Sequence, residues 1–103
     1  MNNEMKQAWN EQSRSKLLAK FQNEAGISVS NEEIAAESEM MYKSELDDNL
    51  LPKNTKANLP EQIMVNYYGY NDWVAYVITD MSQDWLLAVG LLYRGKLVQE
   101  DQS

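Results

Sequence analysis

Residues 63–98 run IMVNYYGYNDWVAYVITDMSQDWLLAVGLLYRGKLV, the most apolar and most aromatic part of the chain. Only five of its residues are charged, and seven of the chain's ten aromatic residues fall between Tyr67 and Tyr93. Short apolar runs rich in β-branched and aromatic residues, separated by clusters of Gly, Asn, Asp and Ser, are the signature of strands joined by tight turns. The spacing predicts strands over Ile63–Tyr68, Trp73–Thr79 and Trp85–Tyr93, with turns at Gly69–Asp72 and Asp80–Asp84. Arg94-Gly95 predicts a further tight turn into a short fourth strand, Lys96–Gln99. Connections this short join antiparallel neighbours.

Alternation along these strands leaves neither sheet face polar. In the second strand Trp73, Ala75 and Val77 oppose Val74, Tyr76 and Ile78, and in the third Trp85, Leu87, Val89 and Leu91 oppose Leu86, Ala88, Gly90 and Leu92. Both faces therefore need cover. The candidates are helices on both sides, the chain's own ends, a second subunit or a partner.

Upstream, Leu51–Pro60 carries two prolines in a polar run and reads as a loop. Before it the apolar period lengthens to about four. Met5, Trp9, Leu17, Phe21 and Ala25 fall on one face of a helix from about Asn3 to Ala25, which Gly26 terminates. Ser30 with Glu33 matches a capping box, and Val29 with Ile34 a hydrophobic staple, so a second helix is expected from Asn31 to about Asp48. The expected fold is α+β, with two N-terminal helices followed by a three- to four-stranded antiparallel β-meander. It would form a single domain over 1–103, with a helical acidic layer over 1–51 and the sheet over 61–99.

The chain has 103 residues, a net charge of −7, no cysteine and no histidine. The missing residues remove disulfides, thiolate chemistry and the commonest general base and metal ligand, so no catalytic residue, cofactor or metal site is expected. No apolar run is long enough to span a bilayer as a helix. The polar start MNNEMKQAWNEQ lacks the apolar core of a signal peptide, and a cytoplasmic protein is the expectation.

Charge is unevenly distributed. Residues 1–23 sum to +2, whereas residues 24–51 carry eight acidic side chains against Lys43 and sum to −7. This opposes direct binding of nucleic acid, whose affinity comes from Lys and Arg displacing counterions. It also excludes a helix-turn-helix reading of Gly26-Ile27-Ser28, because the following helix would carry Glu32, Glu33, Glu37 and Glu39 toward phosphate.

The acidic residues Glu32, Glu33, Glu37, Glu39, Glu45, Asp47 and Asp48 are candidates for docking on a basic protein surface, spaced as phosphates are on DNA. The same run also suits a solvated face that keeps the protein soluble. Tyr68, Tyr70 and Trp73, around the Gly69 turn, are the candidate aromatic anchors, although strand packing favours the same residues.

The order of helices, acidic segment and antiparallel sheet resembles the small phage inhibitors of uracil-DNA glycosylase. Asn31-Glu32-Glu33-Ile34 lies on their acidic strand segment and Ile63-Met64-Val65 on the start of a central strand. The likeness is one of pattern, over less than half of the chain, and it implies a strand where the capping box implies a helix.

These observations lead to the expectation of a small acidic protein-binding module, an inhibitor of the phage or mobile-element type directed at a host nucleic-acid-processing or defence enzyme, with DNA mimicry as its means. A bacterial immunity protein or antitoxin neutralising a basic toxin satisfies the same features. So does a structural homo-oligomer, a homodimer in the simplest case, formed through the apolar sheet face. No membrane partner is expected.

Overall fold

The computed structural model describes residues 7–98. It contains one α-helix and a six-stranded antiparallel sheet, not two helices and a three- to four-stranded meander. The strands are β1 (Gln7–Ala8), β2 (Ala35–Tyr42), β3 (Gln62–Tyr70), β4 (Trp73–Thr79), β5 (Trp85–Tyr93) and β6 (Lys96–Leu97). Their order across the sheet is β1-β5-β4-β3-β2, with β6 also pairing β5.

The helix α1 (Glu11–Ala25) begins later than the periodicity suggested. Asn10 caps it, its side chain accepting from the Ser13 N–H at 3.0 Å while the Ser13 hydroxyl accepts from the Asn10 N–H at 2.8 Å. Gln7 and Ala8, upstream of this cap, pair with Leu86 and Trp85 in the sheet. The predicted positions 3–6 of the helix and the predicted end of the last strand at Gln99 lie outside the described residues. At the other end of α1, Gly26 adopts φ 70°, the left-handed conformation expected of a helix stop.

The second helix is absent. Ser30 and Glu33 bracket a single 3-10 turn over Asn31–Glu33, with no side-chain cap on the backbone. From Ala35 the chain becomes strand β2, paired with β3 over eight residues from Ala35↔Gly69 to Tyr42↔Gln62. The residues that suggested a helix also alternate at period two. Ala36, Ser38, Met40 and Tyr42 share one side, and Glu37, Glu39 and Met41 the other. An eight-residue ladder with β3 outweighs a capping signal of about 1 kcal/mol. The Ser38 hydroxyl also donates to buried Asn66, whose amide donates to the Val77 carbonyl at 3.5 Å. Residues 7–51 are thus not a helical layer; their acidic part is a strand and short turns.

The predicted bounds of β4 and β5 are those observed, and the Arg94-Gly95 turn falls as expected. Both sheet faces are covered from within the chain. On one side Leu18 and Phe21 of α1 pack on Tyr68, Ala75 and Val77. On the other, residues 43–60, which hold three short 3-10 turns, lay Leu51 and Leu59 against Ile63, Val65, Tyr76, Ile78 and Leu92. The loop between β2 and β3, rather than a second helix or a subunit, closes this face.

That closure has an anchor. Tyr76 and Gly90 face each other across β4 and β5, and the tyrosine ring lies over the glycine. A Cβ at position 90 would sit 2.2 Å from the ring's Cζ and hydroxyl oxygen. The Tyr76 hydroxyl donates to the Leu50 carbonyl at 2.6 Å, tying the loop to the sheet. Burial pushes the Tyr76 phenol up to about 12.

Gly90→Ala should destabilise the protein by about 1–3 kcal/mol, since the ring must leave its site. Thermal unfolding should show this cost shrinking in a Tyr76→Val background, because only there has the obstructing ring gone. An equal cost in both backgrounds would refute the clash. The Tyr76 phenol, held neutral in the fold, also predicts alkaline sensitivity. Its folded pKa exceeds the unfolded value, so the stabilisation is full below pH about 10 and is lost as pH rises toward about 12. Tyr76→Phe should make stability measured by denaturant fall less steeply across that window.

Candidate functional site

Strand β2 is the terminal strand of the sheet on the side away from β5, and among the described residues no strand pairs with its outer edge. Seven of its eight residues are exposed, and Met41 is half-buried. A long free edge is normally shielded, because it presents unpaired backbone groups to any other chain. Here charge occupies it. Glu37 and Glu39 project to the same side, about 7 Å apart by strand geometry, close to the through-space separation of neighbouring phosphates on a nucleic-acid strand.

Tyr67 of β3 stands directly across from Glu37. Its hydroxyl donates to Glu39 Oε2 at 3.3 Å and contacts the Met41 sulfur at 3.8 Å. Burial raises the Tyr67 pKa, and the charge of Glu39, its hydrogen bond and the charge of Glu37 raise it further. The phenol therefore acts as a neutral spacer that orients Glu39 without cancelling its charge.

The remaining acidic candidates are spread more widely, the Asp48–Leu50 turn lying beside β6 at the border of the sheet opposite β2. Glu45, Asp47 and Asp48 lie in the 43–60 segment, which covers the sheet side toward which Glu37 and Glu39 point. Glu45 accepts from the Tyr42 N–H at 3.1 Å, and Asp47 from the Asn49 N–H at 2.9 Å, which fixes both carboxylates. Glu32 and Glu33 are exposed in the turn before β2. Among the described residues, only Asp48 of these seven forms an ion pair, with Lys56 at 3.5 Å. The nearby lysines turn inward: Lys43 donates to the Leu59 carbonyl at 3.1 Å and Lys56 to the Leu46 carbonyl at 2.9 Å. They hold the loop together and leave most of the negative charge unneutralised.

The aromatic candidates do not belong to this surface as a set. Tyr68 is buried at 6 % exposure under α1 and is not available as a surface anchor. Burial raises its pKa, partly offset by Arg14. Tyr70 and Trp73 are half-buried and pack against the helix-side core. Trp73 also stacks on Tyr93 with ring centroids 4.5 Å apart, and Arg94 lies 5.2 Å over Tyr93 while pairing with Asp72 at 3.2 Å. This cluster ties the two turns at one end of the sheet.

Sequence reasoning overlooked the side of β2 opposite the glutamates. There Met40 and Tyr42 are exposed at 45 % and 41 %, on the same side as Ser38. The period-two pattern Ala36-x-Ser38-x-Met40-x-Tyr42 was the available signal.

Among the described residues, no group of three or more Asp and Glu side chains is placed to hold a metal ion. No helix among them is long and apolar enough to cross a membrane. Comparison with protein-family models, with curated proteins and with solved structures finds no match. The chemistry this site offers is electrostatic: two exposed carboxylates on the terminal strand, Glu37 and Glu39, without an ion pair among the described residues and bordered by exposed thioether and phenol groups.

Proposed function

We propose that the protein is an inhibitor of a nucleic-acid-processing enzyme, and that β2 docks in the enzyme's basic groove in place of DNA. The observation that carries this reading is the unpaired charge of Glu37 and Glu39 on an exposed, terminal strand, with Glu45 held at the end of that strand by the Tyr42 N–H. Holding two carboxylates about 7 Å apart costs roughly 0.6 kcal/mol in bulk water. Neither carboxylate forms an ion pair among the described residues. A basic groove would turn the repulsion into attraction and accelerate association.

A narrow strand edge also suits a groove better than a broad helical face would. Met40 and Tyr42, on the other side of the same strand, supply apolar contact area once the charges have brought the partners together. The likeness of element order to the phage inhibitors of uracil-DNA glycosylase makes that enzyme the first target to assay. The Asn31–Ile34 segment on which the likeness was drawn is a 3-10 turn here, and strand β2 begins after it at Ala35. The homo-oligomer reading rested on an uncovered apolar sheet face; α1 packs on one face and the 43–60 segment on the other.

The test is inhibition of uracil release from duplex DNA by a bacterial uracil-DNA glycosylase, extended to nucleases and polymerases with basic grooves. Glu37→Lys with Glu39→Lys should slow association at least tenfold at low salt and flatten its salt dependence. Met40→Ala should act mainly on dissociation. Inhibition that survives the double charge reversal unchanged would remove β2 from the contact.

A further inference from the structure

Strand β2 is bounded inside the described chain, by the Asn31–Glu33 turn before it and the Lys43–Glu45 turn after it. The described residues enter and leave the sheet at the other border, at Gln7 in β1 and Val98 beside β5. A strand added outside β2 would lie five strand spacings, about 24 Å, from that border. The Lys43 N–H donates to the Glu61 carbonyl at 2.9 Å, continuing the β2–β3 register. Backbone groups alternate between the two sides of an antiparallel strand. Ala35, Glu37, Glu39 and Met41 therefore turn theirs to β3, and Ala36, Ser38, Met40 and Tyr42 turn theirs outward. The Tyr42 N–H donates to Glu45 Oε1 at 3.1 Å, which closes that end of the edge. Ala36, Ser38 and Met40 remain, each directing an N–H and a carbonyl away from the sheet.

We propose that this edge is a self-association surface gated by charge: two copies of the chain pair antiparallel along β2 about a two-fold axis at Ser38, and Glu37 and Glu39 oppose the pairing. The register follows from the backbone. Setting Ser38 opposite Ser38 of the other copy, and Ala36 opposite Met40, gives every outward group of these residues a partner on both copies. A shift of two residues in either direction strands one of them, because it brings Met40 opposite Ile34, whose N–H is used by the Asn31 carbonyl, or Ala36 opposite the closed Tyr42.

In this register Glu37 stands directly opposite Glu39 of the other copy, and Glu39 opposite Glu37, in the closer kind of antiparallel pair with Cβ atoms about 5 Å apart. Like charges in that position destabilise a strand pair, and both pairs fall on one side of the joined sheet. On the other side Ala36 meets Met40, and the Ser38 hydroxyl is held by Asn66 of its own chain. The two glutamates are exposed and without an ion pair among the described residues, so their charge stands against a second copy undiminished. Self-pairing follows from strand geometry and does not require docking on an enzyme. The two exclude each other, because both occupy β2.

Sedimentation equilibrium of the full chain tests the register through its charge pattern. Glu37→Lys puts a lysine opposite Glu39 in both pairs and should tighten dimerisation about tenfold over the unchanged chain at low salt. Glu39→Lys should do the same. The double change, Glu37→Lys with Glu39→Lys, sets lysine opposite lysine and should return association to the weak level of the unchanged chain. At about 1 M salt, where the screening length is about 3 Å, the unchanged chain should associate more tightly and each single variant less tightly than at low salt. Hydrogen exchange in the Glu37→Lys dimer should slow at the Ala36, Ser38 and Met40 amides, which carry the new bonds. The proposal is overturned if Glu37→Lys stays monomeric up to its solubility limit, if the double variant dimerises as tightly as the single ones, or if protection on dimerisation appears elsewhere. Protection of these three amides in the monomeric chain would overturn it as well.

Discussion

The ring of Tyr76 lying across Gly90, with its hydroxyl on the Leu50 carbonyl, is the contact on which the arrangement of this protein depends. A six-stranded sheet with two apolar faces and a single helix has one face too many. The clamp solves this by holding residues 43–60 flat against the second face, so that Leu51 and Leu59 complete a core with Val65 and Ile78. Because that segment lies over the sheet instead of beside β2, no strand among the described residues pairs with the outer edge of β2. An internal packing requirement thereby determines which strand faces solvent. The buried phenol avoids ionising there, and the glycine is obligatory because any side chain would occupy the space of the ring.

The electrostatic division of the molecule follows from the same loop. Lys43 and Lys56 cap its carbonyls, so the lysines closest to the acidic run act as structural donors. Each such bond to a charged donor contributes about 1.5–3 kcal/mol, more than an exposed ion pair with a glutamate would, at about 0–1 kcal/mol. The loop wins that competition, and the carboxylates of β2 remain unpaired. At physiological ionic strength the screening length is about 8 Å, comparable to the spacing of Glu37 and Glu39, so neighbouring charges act together on an approaching basic surface.

Much of this architecture was legible in the sequence. The strands from Trp73 to Thr79 and from Trp85 to Tyr93 were marked by their turns, and Gly26 announced the end of α1. The stretch after Ser30 was misread because two codes overlap in it. Ser30, Glu33 and the Val29–Ile34 pair spell a helix start, while Ala36, Ser38, Met40 and Tyr42 spell a strand. The decision between them came from Asn66 and the rest of β3, more than twenty residues away, and local propensity carries no record of that partner. Gln7 and Ala8 were lost for a similar reason, since two residues are too few to show a period. Among the site residues, the exposure of Glu37 and Glu39 followed from their charge. The burial of Tyr68 did not, because three tyrosines in four positions give no sign of which one the helix will cover.

On its target, β2 is proposed to take the place of DNA. The most direct measurement is fluorescence anisotropy of a labelled duplex bound to uracil-DNA glycosylase, or to whichever enzyme the inhibition assay identifies, titrated with this protein. Substitution predicts that the duplex is displaced completely at a one-to-one endpoint, with a midpoint that rises in proportion to unlabelled competitor DNA. A ternary complex, in which anisotropy stays high while the protein binds, would contradict it.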